Sequence, residues 1–200
     1  MKDRSVFRET YHNYLDRLRG LDPAGLATPL GVEMVDGVAV IPLLGESFRV
    51  SGDGIADAAG KRPTLDVCVI LANYLLRCPA ESPAADDWAT YYGLKDAGPL
   101  AVYFKQDVER AIASAFAGRI DALQAAGRAI DGRPAETDVA CDLALSFSAL
   151  PKVPLMLLFN DRDEEFSATV TVLFEQRAEA YLDPECLAML GRHLFARLTA

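Results

Sequence analysis

Histidine is scarce in this chain. Only His12 and His193 occur in 200 residues. The sequence carries no HExxH pair for zinc, and no Ser/His/Asp or Cys/His arrangement for nucleophilic catalysis is recognisable. The four cysteines, Cys68, Cys78, Cys141 and Cys186, are widely separated and form no C-x-x-C pair. Free reduced thiols are therefore expected in place of a zinc or iron–sulfur centre, and no metal ligand set is assigned. Cys68 falls in a very apolar stretch and reads as core. Glycine-rich phosphate loops are missing too, since no GxGxxG or GK(S/T) follows a strand into a helix.

No apolar run approaches the roughly 18 residues that span a bilayer. The first residues, MKDRSVFRETYHNYLDRLRG, lack the hydrophobic centre of a signal peptide, so the cytoplasm is the expected compartment. Positive charge is in deficit: the net charge is −9, which argues against nucleic acid or an anionic membrane as partner. A small-molecule or protein partner is left open, and the sequence names no cofactor and no oligomeric state. No internal repeat is visible.

What is present is most strongly patterned between Leu143 and Phe174. Leu143, Leu145, Phe147 and Ala149 alternate with polar or small residues, the period-two signature of a half-buried strand. Pro151 and Pro154 bracket a turn. Leu155 to Phe159 is apolar on both faces and reads as a central strand covered on both sides. Val170, Val172 and Phe174 then alternate with threonines, which suits a pleated surface. The short connections favour antiparallel neighbours, so 160–167 is a hairpin end with a charged tip.

The remaining chain frames this unit. An amphipathic helix is expected over 3–21, with Phe7, Tyr11, Tyr14, Leu15 and Leu18 at helical spacing. Asp36-Gly37, Leu44-Gly45 and Gly52-Asp53-Gly54 punctuate a β meander over 32–55. Thr64 is the expected N-cap of a buried helix, 65–77, and 78–85 is a Pro/Ala/Ser linker. The stripe Val108, Ile112, Phe116, Ile120 and Leu123 predicts one long helix from 100 to 126 inside a helical middle, 64–130. Asp183-Pro184-Glu185 opens a last helix, 184–198, with Leu187, Leu190, Leu194 and Leu198 as its buried stripe. The β hairpin unit spans 142–175. The expected fold is a single α+β domain, a mostly antiparallel sheet with helices packed on it.

The candidate site is the acidic tip, Asp163, Glu164, Glu165 and Phe166, with Trp88 and Tyr91 as aromatic candidates. Asp161, Asp163 and Glu165 have the opening spacing of a calcium loop, but Phe166 stands where its glycine should be and Val172 at its twelfth position. The functional reading of the tip is a hard cation or a basic partner. The structural reading, which the sequence favours, is a solvated turn with Phe166 folded onto the core and the Trp88–Tyr91–Tyr92 cluster filling core as well.

Several of these segments resemble one family. Leu150-Pro151 with Pro154, Asp163-Glu164-Glu165-Phe166, Leu173-Phe174 and Tyr181-Leu182 are similar to the C-terminal half of an uncharacterised prokaryotic family catalogued as domain of unknown function 3786. Glu175 stands where that family has Asp. Gly45 to Val50, Leu71 to Leu76 and Trp88 resemble its N-terminal half, with Phe48 for its Tyr. The resemblance brings no established activity. It implies anaerobic relatives, some with an added Cys-rich iron–sulfur domain that has no counterpart here. Two function classes follow as expectations. One is a non-enzymatic ligand- or protein-binding accessory module in an anaerobic prokaryote, serving cofactor or one-carbon metabolism. The other is an enzyme using the carboxylates of the acidic tip with a divalent cation.

Overall fold

The structure, a computed structural model, describes residues 2–22, 25–81, 83–84 and 87–200, with side chains from Arg8 onward. The Phe7 side chain, Pro23 and the linker residues Ser82 and Ala85 lie outside what is described. Helix α1 (Lys2–Arg19) buries Tyr11, Leu15 and Leu18 at the expected spacing, and the short α2 (Ala27–Leu30) follows. Strands β1 (Glu33–Val35), β2 (Val38–Leu43), β3 (Glu46–Ser51) and β4 (Gly54–Asp57) form an antiparallel meander in that order. Asp36 and Gly37, then Leu44 and Gly45, all have positive φ, as two-residue hairpin loops require. Leu44 is an unusual occupant of that conformation. Its buried side chain and an N–H donated to Ala149 O at 3.1 Å hold it there.

Helix α3 (Leu65–Leu76) buries every residue from Val67 to Leu75, which matches its all-round apolar sequence. Thr64 occupies the N-cap position, yet its side chain makes no capping bond. Strand β5 (Trp88–Thr90) and a 3₁₀ turn (Tyr91–Gly93) lead to α4 (Gly98–Phe104). The single helix expected over 100–126 is in fact α4, a π turn (Lys105–Arg110), α5 (Ala111–Phe116) and α6 (Ile120–Ala129). Gly118 breaks it by adopting φ +71°, where its N–H is taken by Asp161 Oδ1 at 2.6 Å. The apolar stripe survives the break: Val108, Ile112, Phe116 and Leu123 are all buried.

The second sheet is the expected hairpin unit, widened. Strands β6 (Arg133–Pro134), β7 (Leu143–Leu150), β8 (Val153–Asn160) and β9 (Thr169–Glu175) join β5 in the order β5-β9-β8-β7-β6, all antiparallel. Residues 155–159 of β8 are buried without alternation, as a central strand covered on both faces should be. Pro154 is tolerated inside β8 because it faces Ser148 at a register shift. Helix α7 (Ala178–Tyr181) precedes α8 (Pro184–Leu198), where Asp183 Oδ1 caps by accepting the Cys186 N–H at 2.8 Å. The leucine stripe of α8 is buried throughout. A Cβ on Gly191 would stand 2.4 Å from Phe104 Cε2, so this glycine is what lets α8 lie against the end of α4. The architecture is α+β, two antiparallel sheets with helices packed on them.

Candidate functional site

The acidic tip is built as a fixed loop between β8 and β9, with Asn160 facing Thr169 at its base. Asp163 Oδ1 accepts the N–H groups of Phe166 at 2.7 Å and Glu165 at 2.8 Å, and the Asp163 N–H returns to Phe166 O at 3.0 Å. This closed turn explains why Asp, which bonds readily to the backbone ahead of it, occupies the position. Those two N–H donors, Phe166 first, hold the Asp163 carboxyl below the usual carboxylate range. Asp161 ties the loop to the rest of the protein. Its carboxylate takes the Gly118 N–H, and its own N–H donates to Asp142 Oδ2 at 2.8 Å. The Arg162 guanidinium covers Gly118, where a Cβ would come within 3.0 Å of Nε.

Phe166 is not on the core. It is 69% exposed, which corrects the structural expectation for the tip. The reason is local: the Asp163 turn spends three residues reversing the chain, so no strand runs through 163–166 to aim Phe166 inward. Glu164 and Glu165 are exposed beside it, and a shallow depression of about 440 Å³ separates the loop from Ala113 and Ser114 of α5 and from Ala117, which follows it. Among the described residues, no three His, Cys, Asp or Glu side chains are grouped so as to hold a metal ion.

The aromatic candidates lie elsewhere. Trp88 pairs with Glu175, six positions along β9 from Thr169, which puts about 20 Å of strand between it and the tip. Trp88 is also partly exposed on its edge strand at 37%, not core as its cluster suggested. Tyr91 is core: its ring stacks on Phe104 at 4.3 Å and its hydroxyl donates to Pro184 O at 2.7 Å. Burial, followed by the charges of Glu185 and Asp183, pushes its hydroxyl up to about 12. The tip and the aromatic pair therefore do not form one site.

Residues 22–197 match the model of one family, Domain of unknown function (DUF3786). The chain belongs to DUF3786. No curated protein and no solved structure matches it.

Two further concavities of this DUF3786 chain had no place in the sequence reading. A cleft of about 700 Å³ opens between α1 and the start of α3. Two of its charged groups are engaged with neighbours: Arg62 lies 5.0 Å over the Tyr11 ring, and Asp66 pairs with Arg192. An apolar groove of about 350 Å³ runs between α4 with its π turn and α8, floored by Phe104, Val108 and Met189. Its sequence signal was the row Glu185, Ala188, Met189 and Arg192, which flanks the leucine stripe of α8 at helical spacing. His12 is exposed, and His193 is half-buried with its Nε2 unpartnered. Burial first, and then Arg197, pull the His193 pKa down to about 4, so it is neutral at pH 7. The four thiols are free. Cys68 is buried, and that burial raises its pKa to about 11, away from nucleophilic use.

Proposed function

We propose that this DUF3786 protein is a non-enzymatic, cytoplasmic accessory module, and that its acidic hairpin tip recognises a partner protein presenting an apolar socket rimmed by Lys or Arg. The exposure of Phe166 on a loop fixed from both sides carries the reading. A large aromatic held out in water has no folding benefit, whereas a pre-ordered aromatic loses little entropy on docking and makes a good anchor. Glu164 and Glu165 around it would steer and orient a cationic rim. The enzymatic alternative, carboxylate chemistry with a divalent cation, draws less support. Asp163 is committed to the loop's own N–H groups, and Trp88 stands at the far end of the sheet.

The test is a comparison of native-lysate enrichment by the parent protein and by Phe166→Ala, followed by calorimetric titration of the partner so identified. A genuine partner is retained by the parent, lost with Phe166→Ala at unchanged melting temperature, and weakened by salt. Equal recovery by both proteins sinks the proposal. A melting temperature raised by magnesium, calcium or manganese, and no longer raised after Asp163→Asn with Glu165→Gln, would turn the assignment to the cation-dependent alternative.

A further inference from the structure

The groove between α4 and α8 has an apolar floor and an acidic rim. Leu100, Phe104, Val108, Ala188 and Met189 supply the apolar lining, and Tyr103 stands 65% exposed at its edge. Next to it on α4, Val102 is 69% exposed. The floor is rigid, because Phe104 is clamped between the Tyr91 ring at 4.3 Å and the backbone of Gly191, where no Cβ would fit. On the rim, Asp107 and Glu185 make no ion pair or side-chain hydrogen bond among the described residues. The cation of the rim, Arg192, is held by Asp66. The groove therefore presents net negative charge around an apolar slot.

We propose that this groove is a docking site for a cationic amphipathic segment of a partner protein. One or two large apolar side chains would enter between Phe104, Val108 and Met189, and flanking Lys or Arg would face Asp107 and Glu185. Charge complementarity selects this occupant. A small molecule would need buried polar groups converging on the slot to fix its orientation, and the lining side chains offer only rim charges and the hydroxyl of the exposed Tyr103. Self-association that seats Phe166 of a second copy in the groove would bring the carboxylates of its tip against Asp107 and Glu185 and be repelled. The inference is independent of the hairpin tip, which uses different residues.

The probe is a labelled helical peptide of about 14 residues with Leu on one face and Lys on the other, set against a Glu-for-Lys counterpart with the same leucines. Binding is read by fluorescence anisotropy and by the ¹³C-methyl signal of Met189. The expected results are saturable binding of the Lys peptide, at least about tenfold weaker binding of the Glu peptide, and a shifted Met189 methyl. Ala188→Gln, which fills the slot without changing charge, should weaken the Lys peptide by about tenfold or more. Asp107→Lys with Glu185→Lys should reverse the peptide preference. Circular dichroism and melting temperature establish that each variant is folded. If Ala188→Gln does not fold, Tyr103→Ser at the exposed edge replaces it. Equal affinity for both peptides, no binding of the Lys peptide, or binding that survives the groove variants overturns the proposal. So does a dimer in sedimentation velocity that dissociates with Ala188→Gln, which would assign the groove to a second copy of the chain.

Discussion

Glu109 is the one carboxylate buried in the described core, at 6% exposure. It sits in the π turn, and its Oε1 accepts the Val172 N–H at 3.0 Å. The need for this bond follows from the sheet. β5 is three residues long and pairs with β9 only at Leu173, Phe174 and Glu175, so the Val172 N–H faces a place where no strand runs. Glu109 supplies the missing acceptor. Lys105 Nζ lies 3.1 Å from its other oxygen but is 57% exposed and contributes little. Glu109→Ala strands a buried N–H, a loss of about 1–3 kcal/mol, and removes packed methylenes; relief of a buried charge offsets part of this. The net expectation is a destabilisation of about 2–3 kcal/mol, or roughly 4–12 °C in a chain of this size. Glu109→Gln keeps an acceptor in place and should cost about 1 kcal/mol or less. Lys105→Met should stay within about 0.5 kcal/mol. Urea unfolding followed by far-UV circular dichroism measures all three. If the Ala and Gln variants were equally unstable, or Ala harmless, the bond to Val172 would not be what keeps Glu109 buried.

Gly191→Ala should destabilise by about 1–3 kcal/mol despite the better helix propensity of alanine, because the clamped Phe104 cannot retreat; thermal melts read this directly. Phe166→Ala should leave stability within about 0.5 kcal/mol of the parent, where a buried phenylalanine would cost about 3–5. Cys68→Ser should cost about 1 kcal/mol, the low end for a hydroxyl in an apolar site, since Pro63 O lies 3.8 Å from Sγ and can accept from it. His193 gives a pH signature. Its folded pKa of about 4 lies below the unfolded value of 6.5, so the unfolded chain binds the extra proton and stability falls as pH drops from about 6.5 toward 4. The parent should lose on the order of 2 kcal/mol over that window relative to His193→Gln, and parallel pH profiles would refute the assignment.

Where one local pattern and one packing face agree, the sequence was sufficient. The β7–β8–β9 unit, the meander turns at Asp36-Gly37 and Leu44-Gly45, and α8 from its Asp183 cap to Leu198 all stand where periodicity and turn chemistry put them. The long helix failed for a different reason. Its stripe was read correctly, but periodicity is blind to a break that leaves the stripe in register. Gly118 was the local signal, and its meaning depended on Asp161, 43 residues away. The π turn carries no sequence signature, and the bond its Glu109 makes is to an N–H on a strand 63 residues distant.

The tip shows the same limit from the other side. Its residues were singled out from the sequence because charge density is a one-dimensional property. Whether Phe166 was buried depended on the Asp163 turn, and two readings of Asp163-Glu164-Glu165-Phe166 were open to local rules. A strand continuing through 163–166 sends Phe166 to one face, whereas an Asx-type turn at Asp163 ends the alternation before Phe166 is reached. The structure takes the turn, with Asp163 Oδ1 bonded to two successive N–H groups. The aromatic is exposed by the same bonds that make the loop rigid. An exposed aromatic on a floppy loop would be incidental, and a rigid loop with a buried one would be scaffold. Exposure combined with rigidity is the physical content of the binding proposal, and it rests on the carboxylate of Asp163 more than on the charge density of the tip.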